Sequence, residues 1–159
     1  MSSTMISEAI IMVAVIVAGS MLTQVFLISI TRFQYSSNWA TKDLSEKMLT
    51  SVLIIYATNS SSSELIFWVK NIGAVSLTRQ LVKMSDVVLV GPSDVSEFSY
   101  SDSGSGWSYS LLNSEDEKWD YGETIQVTLR LDSQLEPGDY TLIFVVYNGV
   151  KTEYTFTIG

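Results

Sequence analysis

From Ala9 to Ile30 the chain carries no charged side chain, and only Ser20, Thr23, Gln24 and Ser29 interrupt the run with polar groups. At ~1.5 Å rise per residue a helix of this length reaches about 33 Å, against a hydrocarbon core of about 30 Å. A buried helix of a soluble protein rarely stays uncharged for six turns. The run therefore predicts a membrane-spanning helix and leaves the rest of the chain to form a separate body. A cleaved secretion signal is the rival reading. It calls for a basic leader, a shorter apolar core and a small-residue cleavage site. No Lys or Arg precedes Arg32, the core is too long, and Ala18-Gly19-Ser20 lies inside it. A retained anchor is expected.

Several residues in this helix carry candidate roles. Glu8 stands at the edge of the run, where Ser7 or Thr4 would cap the helix and the carboxylate would complement its dipole. Pairing of Glu8 with a neighbouring chain's amino terminus is the functional alternative. Ala14 and Ala18 form one small-xxx-small pair, and Gly19 and Thr23 another, spacings that let membrane helices approach closely. Gln24 places an amide in hydrocarbon and so favours helix association. Arg32, Lys42 and Lys47 follow the run, and the positive-inside rule leans to a cytoplasmic C-terminus. Phe33, Tyr35 and Trp39 suit an interfacial aromatic belt. Leu44 and Met48 share a helical face, so the helix is expected to continue as a stalk. The domain boundary is set at residue 50, with residues 1–50 as helix and stalk and residues 51–159 as a second domain.

After Thr50 the pattern changes to short strands. "SVLIIYAT" and "ELIFWVKN" are the first two, the latter ended by Asn71 and Gly73. "RQLVKM" and "DVVLVGP" are further strand candidates. "EFSYS" and "WSYSLL" read as a pair of edge strands around a glycine loop. In "TIQVTLRL", Ile125, Val127, Leu129 and Leu131 alternate with polar residues, the period of a strand with one buried face. "DYTLIFVVY" and "KTEYTFTI" flank Asn148-Gly149, a hairpin signal. Seven to nine strands without a helical pattern predict an all-β body, an immunoglobulin-like β-sandwich lacking the Cys–Trp–Cys signature because the chain has no Cys.

Composition then excludes functions. With no His and no Cys, the commonest general base, the thiol nucleophile and the soft metal ligands are missing. An enzyme is disfavoured, and no cofactor is expected. Asp and Glu number 17 against 9 Lys and Arg, for a net charge of −8, so nucleic acid is not an expected partner. Among candidate sites, Glu115, Asp116, Glu117, Asp120 and Glu123 could hold Ca²⁺, but their spacing does not match an EF-hand loop, and a solvated acidic loop is the preferred reading. Asn59-Ser60-Ser61 is a glycosylation sequon. Tyr100, Trp107 and Tyr109, set among Ser and Gly, read either as a partner-binding surface or as sandwich residues beside a flexible loop.

The stretch "SEAIIMVAVIVAG" resembles the N-termini of archaeal flagellin-like and type IV pilin-like proteins. "WVKNIGAVSL" and "LEPGDYTLIFVVYNGVKTEYTFTIG" resemble the sandwich domain of archaellum accessory proteins of the F/G family, with a lean towards the G member. The resemblance spans nearly the whole chain. It implies a pilin-like membrane helix and an outward sandwich in the archaeal envelope. It also implies a static structural role around the rotating filament, with the surface layer, an F/G-type accessory protein and further copies of the chain as partners. An outward domain opposes the lean of the three basic residues. The basic residue and Gly that usually precede the processed site of archaeal flagellins are absent, so processing is not expected. A filament subunit and a membrane-tethered adhesin remain as alternatives from other classes.

Overall fold

The computed structural model describes residues 2–112 and 117–159. It divides into two compact units, one ending at Asp43 and one spanning Leu44–Gly159. The helix α1 (Ser2–Leu49) runs without a break through the predicted stalk. No proline interrupts it, and the hydroxyls that usually compete with helix formation are turned onto its own backbone. Ser20, Thr23, Ser29 and Thr31 each donate to the carbonyl four residues earlier, at 2.8, 2.9, 2.9 and 2.9 Å. In a low-dielectric medium a hydroxyl without such a partner would be costly. Because α1 begins at Ser2, Thr4 and Ser7 lie inside it. Neither stands at the N-cap position, and Glu8 is in the second turn.

The second unit is an immunoglobulin-like sandwich. Its elements are β1 (Val52–Ser61), β2 (Glu64–Asn71), β3 (Leu77–Thr78), α2 (Arg79–Lys83), β4 (Asp86–Val90), β5 (Val95–Ser99) and β6 (Gly106–Leu111). They continue with β7 (Lys118–Trp119), β8 (Thr124–Arg130), β9 (Gly138–Val145) and β10 (Lys151–Ile158). One antiparallel sheet has the order β1-β2-β8-β6, the other β10-β9-β4-β5, and β3 pairs with β7. The period-two pattern of β8 holds: Ile125, Val127 and Leu129 are buried, and Leu131 lies just past the strand, half-buried. Phe144 is the centre of the core. Its ring meets Phe67, Trp107 and Trp119 edge-on at centroid distances of 6.3, 5.7 and 6.4 Å, a favoured aromatic geometry. At their flanks the sheets run beside one another, β1 along β10 and β5 along β6.

Three expectations need correction. "RQLVKM" forms the short helix α2 rather than a strand. One turn of helix buries Val82 while Arg79 and Lys83 stay in water, and the N–H groups of Met84 and Ser85 close the turn onto Leu81 and Val82 carbonyls. β5 and β6 are edge strands but do not pair. β5 pairs with β4 and β6 with β8, and the two touch through a single parallel bridge, Tyr100 to Trp107. The terminal hairpin is in register from Lys151 opposite Val145 to Ile158 opposite Gly138. Its loop, however, is longer than the Asn-Gly pair. Gly149 N–H donates to Val146 and Val146 N–H to Val150, with Gly149 at φ +84°. This is a three-residue loop with a glycine bulge.

Candidate anchoring and docking surfaces

Ile10, Ile11, Val13, Val15, Ile16, Leu22, Val25 and Phe26 all expose more than half of their surface. Apolar area on that scale requires a lipid or protein environment, and the helix is long and apolar enough to cross a membrane. Ala14 and Ala18 are exposed on one face. The Gly19–Thr23 pair is partly self-engaged, because the Thr23 hydroxyl bonds the Gly19 carbonyl. A Cβ at Gly19 would meet nothing within 4 Å, so nothing within the described residues requires glycine there. Glu8 is exposed. The Gln24 side chain makes no hydrogen bond among the described residues.

Within the second unit, the last turn of α1 is clamped to the sandwich. Ala74 N–H donates to Leu49 O at 2.8 Å and Ile72 N–H to Ser51 O at 2.9 Å. From the hairpin loop, Tyr147 donates to the Glu46 carboxylate and Asn148 to the Thr50 hydroxyl at 2.9 Å. Burial first, then the Glu46 carboxylate, pushes the Tyr147 phenol up to about 12. The clamp is close: a Cβ at Gly73 would lie 2.3 Å from Ser51 N and 2.6 Å from Leu49 O, so only glycine fits. Asn71 holds the loop that carries Gly73. Fully buried, its amide donates to Val75 O and Trp119 O, both at 2.9 Å, and accepts from Gly73 N–H at 3.0 Å. The sequence marked Asn71 and Gly73 as a strand terminator, and nothing local revealed the tie to Trp119, 48 residues away.

The aromatic trio is brought together, but Trp107 is no part of a surface. Trp107 is fully buried, because inward-facing positions of β6 point at Phe144. It is a core residue and is withdrawn from the partner surface. Tyr100 lies 5.3 Å from Trp107 and 6.0 Å from Tyr109, ring to ring, and both tyrosines are half-buried. Lys83 sits 4.5 Å over the Tyr100 ring and 3.8 Å from Asp102. The hydrogen bond to Asp102, then burial, raises the Tyr100 phenol, whereas burial raises Tyr109. Asn59 is exposed near the end of β1. Of the acidic loop, Glu115 and Asp116 lie outside the described residues. Glu117 pairs with Arg79 at 3.2 Å, and Glu123 accepts from Asp120 N–H at 2.8 Å. Among the described residues no three acidic side chains converge on a metal position.

Two further surfaces were not anticipated. "SVLIIYAT" reads as a continuous β-branched run; alternation along β1 turns Leu53 and Ile55 outward, a bulge at Ile55 turns Tyr56 out beside them, all three are about half exposed, and Tyr56 stacks on Trp68 at 6.0 Å. A cleft of ≈ 730 Å³ opens between β5 and the 131–136 turn. Asp94, Glu97, Asp132 and Glu136 line it, with no Lys or Arg, a composition that repels anions.

The model of the archaeal-type flagellin family matches residues 2–156. An uncharacterized protein of Archaeoglobus fulgidus is 32% identical over 163 residues, covering 99% of both chains. The fold matches the archaellum periplasmic stator protein FlaG from Sulfolobus acidocaldarius with a TM-score of 0.57 and 25% identity, over 68% of this chain and 100% of that one. It also matches a chain of the FlaF–FlaG stator complex from the same organism, with a TM-score of 0.56 and 27% identity, over 70% of this chain and 93% of that one.

Proposed function

Because this chain belongs to the archaeal-type flagellin family, and is a non-enzymatic archaellum component of the F/G accessory type, we propose that it serves as a membrane-anchored stator. α1 holds the protein in the membrane, and the sandwich stands on the outer side, in the pseudoperiplasmic space, against the surface layer. The observation that carries this reading is the union, in one chain, of a helix with an exposed uncharged run and a FlaG-like sandwich clamped to its last turn. The role is mechanical. A rotating filament needs a static element. An F-type accessory protein is the proposed partner, by analogy with the FlaF–FlaG complex. Tyr100, Tyr109 and the apolar patch around Tyr56 are the proposed contact surfaces, and Asn59 is a proposed glycosylation site. An anion-repelling cleft fits neutral or basic partner surfaces better than acidic ones.

The family match itself favours a second reading, a filament subunit that uses α1 as filament core. Immunogold labelling of intact cells and detached filaments, with antibody to residues 51–159, separates the two. Label confined to the envelope at filament bases is expected. Label along free filaments would establish the filament subunit instead.

A further inference from the structure

The first unit ends at Asp43 and holds three amide side chains, Gln24, Gln34 and Asn38. All three are exposed, and none hydrogen-bonds among the described residues. They fall on one line that steps alternately by three and four residues from Ile10 to Thr41. In heptad terms its a positions are Ile10, Val17, Gln24, Thr31 and Asn38, and its d positions are Val13, Ser20, Leu27, Gln34 and Thr41. The unit's charged residues, Glu8, Arg32, Lys42 and Asp43, all lie off this line. It differs from the Ala14–Ala18 face, which is the small-residue stripe that composition alone suggests.

We infer that this line is a self-association seam, along which α1 packs in parallel and in register against α1 of a second copy of the chain. The inference rests on the reading of α1 as a membrane anchor. Anchors inserted by the same element share one orientation, so two copies meet in parallel. In register, Gln24 then faces Gln24 and Asn38 faces Asn38. An amide carries both donor and acceptor and pairs with its own kind, as a Lys or Glu cannot. Within hydrocarbon such a pair satisfies groups that lipid leaves unmet. A polar a residue such as Asn38 fixes register. The 3.5-residue period predicts a left-handed supercoil. Thr31 and Thr41 add no competing donor, because their hydroxyls are bonded to their own helix.

The chain has no native cysteine, so single-cysteine variants of the full-length protein report the seam directly. In phosphatidylcholine vesicles under mild oxidation, Gln34→Cys and Thr41→Cys on the seam are expected to form disulfide dimers at least fivefold more than Ser36→Cys and Ala40→Cys. Gln24→Leu, placed in the Gln34→Cys background, is expected to lower that yield severalfold, and Gln24→Asn to retain it. Equal yields at the four positions, or no dimer in protein that resists carbonate extraction, would overturn the seam and leave the anchor reading intact. Protein extracted by carbonate would overturn both. In cell membranes, a cross-link to a different polypeptide in place of the dimer would overturn the choice of a second copy.

Discussion

Asn71→Leu tests how the junction between helix and sandwich is held. Leucine keeps the approximate volume and removes three hydrogen bonds, two donated at 2.9 Å and one accepted at 3.0 Å. The abandoned partners are not equivalent. The bonds to Trp119 O and from Gly73 N–H are buried, whereas that to Val75 O is partly exposed. Water can reach the last and restore most of its value. Each of the first two loses about 1–2 kcal/mol as a buried group without a partner. The sum is about 3 kcal/mol, or about 10 °C in Tm for a domain of this size. Trp107 and Trp119, both buried, provide the fluorescence signal for urea unfolding of the full-length protein in detergent micelles. Asn59→Leu, at an exposed site, should shift the midpoint little. Asn71→Asp should be worse than Leu at neutral pH, because a carboxylate facing two carbonyls cannot donate. It should recover as the pH falls and the carboxyl protonates. A loss below about 1 kcal/mol for Asn71→Leu would refute the assignment of Asn71 as the tie.

Phe144→Ala should cost about 3–5 kcal/mol, since it empties the point where three aromatic rings converge, read by the same unfolding curve. Tyr147→Phe probes the clamp through pH. The phenol titrates at about 12 in the folded protein against an ordinary value of 10.0. Its contribution is therefore complete below pH 10 and is lost as the pH rises towards 12. Unfolding midpoints measured from pH 9 to 12 should show this alkaline loss in the native protein and less of it in Tyr147→Phe. Val15→Arg should cost about 2.5–3.5 kcal/mol of insertion and lower the membrane-embedded fraction, measured by glycosylation-tag insertion assay.

What was legible in the sequence was what repeats at short range. The uncharged run, the alternation of β8 and the two runs flanking Asn148-Gly149 each state their structure within one continuous stretch of sequence. What was not legible depends on distant neighbours. Val82 sits in a stretch that suits strand or helix equally, and only the packing of its side chain into the core selects one turn of helix. Trp107 carries no local sign that its ring will meet Phe144, 37 positions later. The outward turn of Tyr56 follows from one extra residue at Ile55, and a run of β-branched residues cannot show where the pleat slips. Asn71 looked like a strand end because Asn usually serves there. Its burial arises only when Trp119 closes over it.

The flanks of the sandwich have a consequence for crowding. Proteins confined to a membrane plane meet at high effective concentration, and an open strand edge in that setting would template its neighbours into a continuous sheet. Here β1 has β10 alongside, with Ile54 N–H bonded to the Thr152 hydroxyl at 3.4 Å, and β5 has β6 alongside through Tyr100 and Trp107. Each flank is occupied by the molecule's own opposite layer. Each sandwich therefore offers its neighbours less open edge than a free-standing sheet would.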